Sequence, residues 1–299
     1  MLQNNPAVAK ISKSLVGKIL RELKKVSEKN ADGYKSFWKE YGAVLKEGLY
    51  EDAERKEALL DLCRFSTNEN DDPISLSEYV EKMPEKQKDI YYISAETKDQ
   101  ALASPHLEGF KSKKIPVLIM TDAIDQFWLP MVGSFKEKKF TSITQGQINL
   151  DDLDEKNKDK KKDDKNEKEK KDKEYVDLVA QLKVVLGDQV KDIRLSSKLT
   201  DSPVCLVADE GDMDIAMEQL MAQRDTNYKG APRILEINGD HSLIKNMKSL
   251  LSKKENNDLV SDAGTLLFEQ ARLMEGKMPA DPAQFSKIMN QFLLKAIPN

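Results

Sequence analysis

The sequence predicts an α/β (α+β) protein: a helical segment and a small α/β middle unit, then a charged divider and a C-terminal α/β domain ending in a pair of helices. Three observations carry this. Apolar residues recur at helical spacing through the first 66 residues, short β-rich runs then alternate with helical runs, and two apolar amphipathic stretches close the chain. At 299 residues the chain exceeds one ordinary compact domain and predicts two or three.

Residues 1–66 read as helical. Ile11, Leu15, Ile19 and Leu23 recur every four residues and predict one stripe. Phe37, Trp38, Tyr41, Val44 and Leu45 form a second, and Leu59, Leu60, Leu62, Cys63 and Phe65 a third, with Gly33 and Gly48 between them. Residues 67–150 read as the small α/β unit. Ser75 or Ser77 caps a helix ending near Met83-Pro84, and Ile90 to Ser94 is a strand. Thr97 to Ala103 is helical, Ser104-Pro105 opens another helical turn, and Ile115 to Met120 is a buried strand. Asp125 to Val132 is a short aromatic helix broken at Pro130.

Residues 151–174 hold ten Lys, eleven Asp or Glu and one apolar residue, Leu153. Such a stretch buries no core and reads as a charged linker or solvated helix. Residues 175–299 then form the C-terminal domain. Tyr175 to Leu186 is helical and stops at Gly187; Val190 to Leu195, Val204 to Ala208 and Arg233 to Ile237 are strands. Met213 to Ala222 is a helix with Asp212 as its N-cap, Ser242 to Leu251 is helical, and two long helices, about 257–275 and 282–296, finish the chain.

Composition narrows the function. Lys and Arg (48) nearly balance Asp and Glu (52), which argues against a nucleic-acid partner. Two separate cysteines, Cys63 and Cys205, suit a reducing compartment. No apolar run approaches the ~20 residues of a membrane span, and the N-terminus lacks a signal-peptide core, so a cytoplasmic protein without a membrane partner is expected. There is no Walker A loop, no zinc spacing and no metal site. Asp240-His241-Ser242 resembles a triad fragment, but adjacent residues cannot form one relay; it reads as a strand-end turn with Asp240 or Ser242 capping the next helix.

Met213, Met217, Leu220 and Met221 share one helix face, which fits ordinary core or an exposed surface for varied apolar partners. Phe127 and Trp128 pose the same choice. Phe285, Ile288, Met289, Phe292 and Leu293 line one terminal helix. Leu266 and Leu267 line the other, widened by Phe268 and Ala271, and so apolar a pair needs a partner surface.

An ordered series of residues resembles the Hsp90 family of bacterial type. Phe37-Trp38 with Val44-Leu45-Lys46-Glu47-Gly48, Ile90-Tyr91-Tyr92-Ile93, Ser104-Pro105-His106-Leu107-Glu108 and Val117 to Asp122 resemble its middle domain. Leu199-Thr200-Asp201-Ser202-Pro203, Leu235-Glu236-Ile237-Asn238 and Asp240-His241 resemble its C-terminal domain. The resemblance implies a chaperone that binds non-native client proteins and forms a homodimer through its terminal helices. It implies client contact at Met213, Met217, Leu220, Met221, Phe127 and Trp128. It implies a four-helix bundle from the terminal pairs of two protomers, through Leu266, Leu267, Phe268, Ala271, Phe285, Ile288, Met289, Phe292 and Leu293.

The family's ATP and Mg belong to an N-terminal domain, and its catalytic arginine would stand two residues before Met1. Gln3 is then a nucleotide-related remnant, and this chain alone is expected to carry no cofactor and to be no enzyme. The ending Ala296-Ile297-Pro298-Asn299 lacks the acidic peptide that TPR co-chaperones grip, which leaves bacterial co-chaperones as partners. The alternative is a non-enzymatic scaffold whose charged segment spaces two interaction domains.

Overall fold

The first helical stretch breaks at Asn30, whose side-chain oxygen accepts the Gly33 N–H at 3.0 Å. A computed structural model describes residues 6–70, 72–153, 170–225, 228, 230–252 and 256–297; Gln3 and residues 154–169 of the charged segment lie outside them. Cα proximity divides the chain into two units, residues 1–101 with 116–141, and residues 102–115 with 142–299.

In the first unit, α1 (Pro6–Lys29) and α2 (Ala31–Glu51) flank Asn30, and α3 (Lys56–Leu62) follows. Of the expected stripe on α1, only Leu23 lies on the core face. Ile11, Leu15 and Ile19 are 60%, 53% and 54% exposed, whereas Leu20 is buried and Val16 and Leu23 pack beside it. The sequence offers apolar residues at both 15–16 and 19–20, so two overlapping stripes compete, and the helix is rolled onto the second. The helical part also ends sooner than expected. Arg64 Nη1 takes the carbonyls of Asp61, Leu62 and Cys63 at 2.9–3.2 Å, closing α3, and Phe65 belongs to strand β1 (Arg64–Thr67).

That strand joins β2 (Ile74–Ser75), β3 (Ile90–Ser94), β4 (Leu118–Met120), β5 (Ser134–Phe135) and β6 (Lys138–Ser142) in one sheet of order β2-β1-β4-β3-β6-β5. β1 is antiparallel to β2 and β4, and β3 is parallel to β4 with Ile93 opposite Ile119. α4 (Leu76–Lys82) opens on a capping box between Ser75 and Glu78. α5 (Lys98–Leu102) follows β3, and α7 (Asp125–Val132) follows β4. Pro130 does not break α7: it lies exposed inside the helix, which stops only at Gly133, where φ is +70°.

The second unit is built on a three-stranded sheet of β7 (Val190–Leu195), β8 (Val204–Val207) and β9 (Arg233–Ile237). The order is β7-β9-β8, with β9 parallel to β7, antiparallel to β8 and buried at every residue. α8 (Val176–Leu186) and α11 (Asn257–Met274) supply Leu178, Leu182, Leu186, Val260, Leu267 and Phe268 to a core with Ile193, Leu235 and Ile237. The remaining helices are α6 (Glu108–Ser112), α9 (Ile215–Arg224), α10 (Ser242–Leu250) and α12 (Pro282–Ala296).

The expected boundaries at residues 66 and 150 are not those of the units. β1 ties residues 64–67 into the first sheet. Residues 102–115 and 142–150 join the second unit through polar contacts. The Glu108 carboxylate accepts the N–H groups of Thr200, Asp201 and Ser202 at 2.8–3.1 Å, and Ser197 Oγ donates to the Ile148 carbonyl at 2.8 Å. Gly109 sits so close to Lys198 that a Cβ on it would fall 2.6 Å from the Lys198 carbonyl oxygen. Although partial burial opposes its charge, the Ser202 hydroxyl and these amides hold the Glu108 pKa below its usual value.

The β5–β6 turn places two L-residues, Lys136 (φ +46°) and Glu137 (φ +64°), in the left-handed region that two-residue hairpins require. Glu137→Gly should raise the unfolding free energy by about 0.5–1 kcal/mol, because the left-handed penalty of an L-residue exceeds the chain entropy that glycine adds. A urea titration would read this as a higher midpoint at unchanged slope.

Candidate functional site

The methionine-bearing helix of the second unit, α9, starts two residues later than its sequence predicts. Asp214, not Asp212, is the N-cap: its Oδ1 accepts the Ala216 N–H at 2.9 Å, while Asp212 is engaged by Lys191 at 3.0 Å. Met213 therefore precedes the helix. Asp214 Oδ2 also accepts the hydroxyls of Ser142 (2.5 Å) and Thr144 (3.0 Å). Only Ile215 and Glu218 of α9 are buried. Met217 and Leu220 are half-buried, and Met213 and Met221 are each 37% exposed. The stripe is neither ordinary core nor fully open. Glu218, inside the apolar run, pairs with Arg233 of β9, so part of the helix faces inward on polar terms.

The terminal pair divides its apolar residues between two surfaces. On α11, Leu267, Phe268 and Ala271 are buried in their own unit, and Leu266 is half-buried. On α12, Ile288 is buried and Phe285 and Phe292 are half-buried, while Met289 is 40% and Leu293 49% exposed. Leu294 and Ile297, which the stripe omitted, are more exposed still. The turn between the helices is closed by Arg272 Nη2 on the Met278 carbonyl (2.9 Å) and by Glu269 accepting the Ala280 N–H (3.1 Å). Asp281 caps α12 by accepting the Gln284 N–H at 2.9 Å. At the start of α10 the cap is His241, whose Nδ1 accepts the Leu243 N–H at 3.1 Å, rather than Asp240 or Ser242.

In the first unit, Phe127 and Trp128 separate. Trp128 is 0% exposed, stacked edge-on against Phe140, with Nε1 donating to Asp125 Oδ1 at 2.7 Å, so it is core and not a contact surface. Phe127 is half-buried with its ring edge-on to Tyr50, and Met131, one turn further along α7, is exposed. Asp125 decides this orientation. Its other oxygen accepts from the buried Lys46 Nζ at 3.0 Å, and Lys46 also reaches Asp122 at 2.7 Å. Burial opposes the Lys46 charge, but Asp125 and Asp122 outweigh it and hold its pKa above the usual value.

A family model described as "Hsp90 protein" matches residues 1–298 of this chain. The chain belongs to the Hsp90 family. Its Hsp90 relatives include the "Chaperone protein HtpG" of Roseobacter denitrificans, 42% identical over 299 residues, covering 99% of this chain and 48% of that protein. The protein of the same name from Paramagnetospirillum magneticum is 41% identical over 297 residues, covering 99% and 47%. That of Wolbachia pipientis wMel is 39% identical over 304 residues, covering 98% and 46%. The chain thus spans about half the length of these relatives. The Hsp90 match corrects the expectation that this chain alone is no enzyme. That expectation rested on what lies before Met1, whereas the match begins at residue 1 and runs through residue 298, so it gives no ground for denying the chain the family's ATPase activity. Among the described residues, no helix is long and apolar enough to cross a membrane, and no group of three His, Cys, Asp or Glu could hold a metal ion.

Lys46→Met should cost about 3–5 kcal/mol by stranding the buried Asp125 carboxylate. The deficit should shrink as pH falls and Asp125 takes up a proton, since the neutral acid needs no cation. Urea titrations of both proteins at neutral and acid pH measure this directly.

Proposed function

We propose that this chain belongs to a chaperone that holds non-native proteins, and that it does so as a homodimer. The observation that carries this is the exposure of Met213 and Met221 around a short helix with little core of its own. Methionine side chains are flexible and polarizable, so a surface built from them accommodates dissimilar apolar partners. The relatives' name, chaperone, supports the same reading. The residues that carry the resemblance correspond to the later middle domain and the C-terminal domain of the family. Phe127, with Tyr50 and Met131 beside it, is a second contact surface in this proposal. For the dimer, Met289, Leu293 and Leu294 supply an apolar strip on α12 suited to isologous pairing. ATP and magnesium belong to the proposed activity of the whole-length protein; Gln3, the residue that the resemblance links to that chemistry, lies outside the described residues.

The chain should suppress aggregation of unrelated unfolded proteins, and Met217→Asp with Met221→Asp should weaken this several-fold. Equal suppression by both proteins would remove α9 from the proposal. Light scattering should give twice the chain mass, falling to the single mass with Met289→Asp and Leu293→Asp. A monomer before any substitution would overturn the dimer.

A further inference from the structure

Glu218 and Arg233 put an ion pair where an amphipathic helix ordinarily keeps its apolar anchor. Both side chains are buried, and Arg233 Nη2 donates to Glu218 Oε2 at 2.5 Å. The same guanidinium reaches the Met213 carbonyl through Nη1 at 3.4 Å. One side chain of the central strand therefore holds both the approach to α9 and its second turn. Glu218 Oε1 accepts the Ala231 N–H at 2.9 Å, and a Cβ on Gly230 (φ +67°) would fall 2.7 Å from Glu218 Oε2. One residue on, Gln219 Nε2 donates to the Glu275 carbonyl at 2.7 Å, just past the end of α11. The Glu275 carboxylate is itself nearly buried, with Lys277 Nζ 3.2 Å away. Apolar anchoring is slight, since Ile215 is the only buried apolar residue of the helix.

The N-terminal attachment has bonds of its own besides the Arg233 contact at the Met213 carbonyl. Asp214 is held by the Ser142 and Thr144 hydroxyls and the Ala216 amide, bonds in which Arg233 takes no part. We propose that the Glu218–Arg233 pair is a latch on α9. Closed, it keeps Met217 and Leu220 half hidden; open, the helix pivots on its Asp214 cap and offers its whole apolar side. This rests on the reading of α9 as the surface that holds non-native proteins.

The physical chemistry favours a two-position device over a graded one. Desolvating two charges offsets most of their attraction, so a buried pair adds little net stability, yet it tolerates only one geometry. Partial opening would leave charge buried and unpaired, so the pair is either made or hydrated. A non-native protein that contacts Met217 and Leu220 binds only the open position and shifts the population toward it.

The test is amide hydrogen exchange on the full chain without client, paired with capture of a reduced and carboxymethylated unfolded protein. Glu218→Gln should speed exchange in α9 by about tenfold or more while α8 and α11 keep their rates. Capture should rise at least about twofold, in proportion to the newly open population. Gln219→Ala, which removes only the tie to the Glu275 carbonyl, should do the same more weakly and serves if the first variant does not fold. Unchanged α9 exchange in the variants that fold overturns the latch. So does acceleration of α11 and β7–β9 together with α9, which would make the pair a core staple. Faster α9 exchange with no change in capture keeps the latch and removes the client reading. Loss of capture on Met217→Asp and Met221→Asp with unchanged exchange in Glu218→Gln does the reverse.

Discussion

Glu236 puts a carboxylate next to the last residue of a central strand buried at every position, and the second unit is arranged around satisfying it. Left alone, such a charge would cost more than the sheet could supply. Arg194 of β7 reaches it with Nε at 3.0 Å and Nη2 at 2.8 Å, and Ser196 Oγ adds a third bond at 2.8 Å. Lys198, fully buried, lies 3.9 Å away and donates to the Ile143 carbonyl at 2.9 Å. The loop after β7 is thereby fixed in the one path that presents three consecutive amides to Glu108. Capture of α6 and of residues 142–150 follows from a charge on a strand they do not pair with.

Unit one applies the same device with the sign reversed. Lys46 is the buried cation, Asp122 and Asp125 its anions, and the aromatic ring of Phe65 covers it, with Nζ 5.0 Å from the ring centre. In both units the apolar core sets how much is buried, while buried charges decide which neighbouring pieces dock and at what angle. α9 carries this furthest, being a helix whose inner side is mostly a charge pair.

Much of the fold was legible because period and punctuation agree. Ile90–Ser94, Val190–Leu195, Arg233–Ile237 and the 282–296 helix occupy the ranges their patterns predict, and of the two serines that could cap α4 it is Ser75, three residues before Glu78, that does. What was illegible has specific causes. Adjacent apolar residues on α1 leave its roll undecided until α2 and α3 are present. Phe127 and Trp128 point about 100° apart on any helix, and only the Asp125 bond to the indole chooses which one turns inward. Asp212 and Asp214 are equal caps by type, and distant Lys191, Ser142 and Thr144 decide between them. The unit boundary rests on backbone amides, which have no signature in a sequence. Of the candidate site, the methionines were readable; Glu218 and Arg233 were not, because a charge in an apolar run reads as solvent-facing until its partner is known.

The Glu108 contact has a further consequence for how the chain is made. Its amide partners begin 92 residues later. At about 5–20 residues per second of synthesis, Glu108 waits roughly 5–20 s for them. During that interval β4 already exists and can pair with β3, while Glu108, in the segment between them, still lacks the amides of Thr200, Asp201 and Ser202. A nascent chain should therefore expose the apolar Leu107 and Phe110, both buried once folding is complete, as a transient sticky loop.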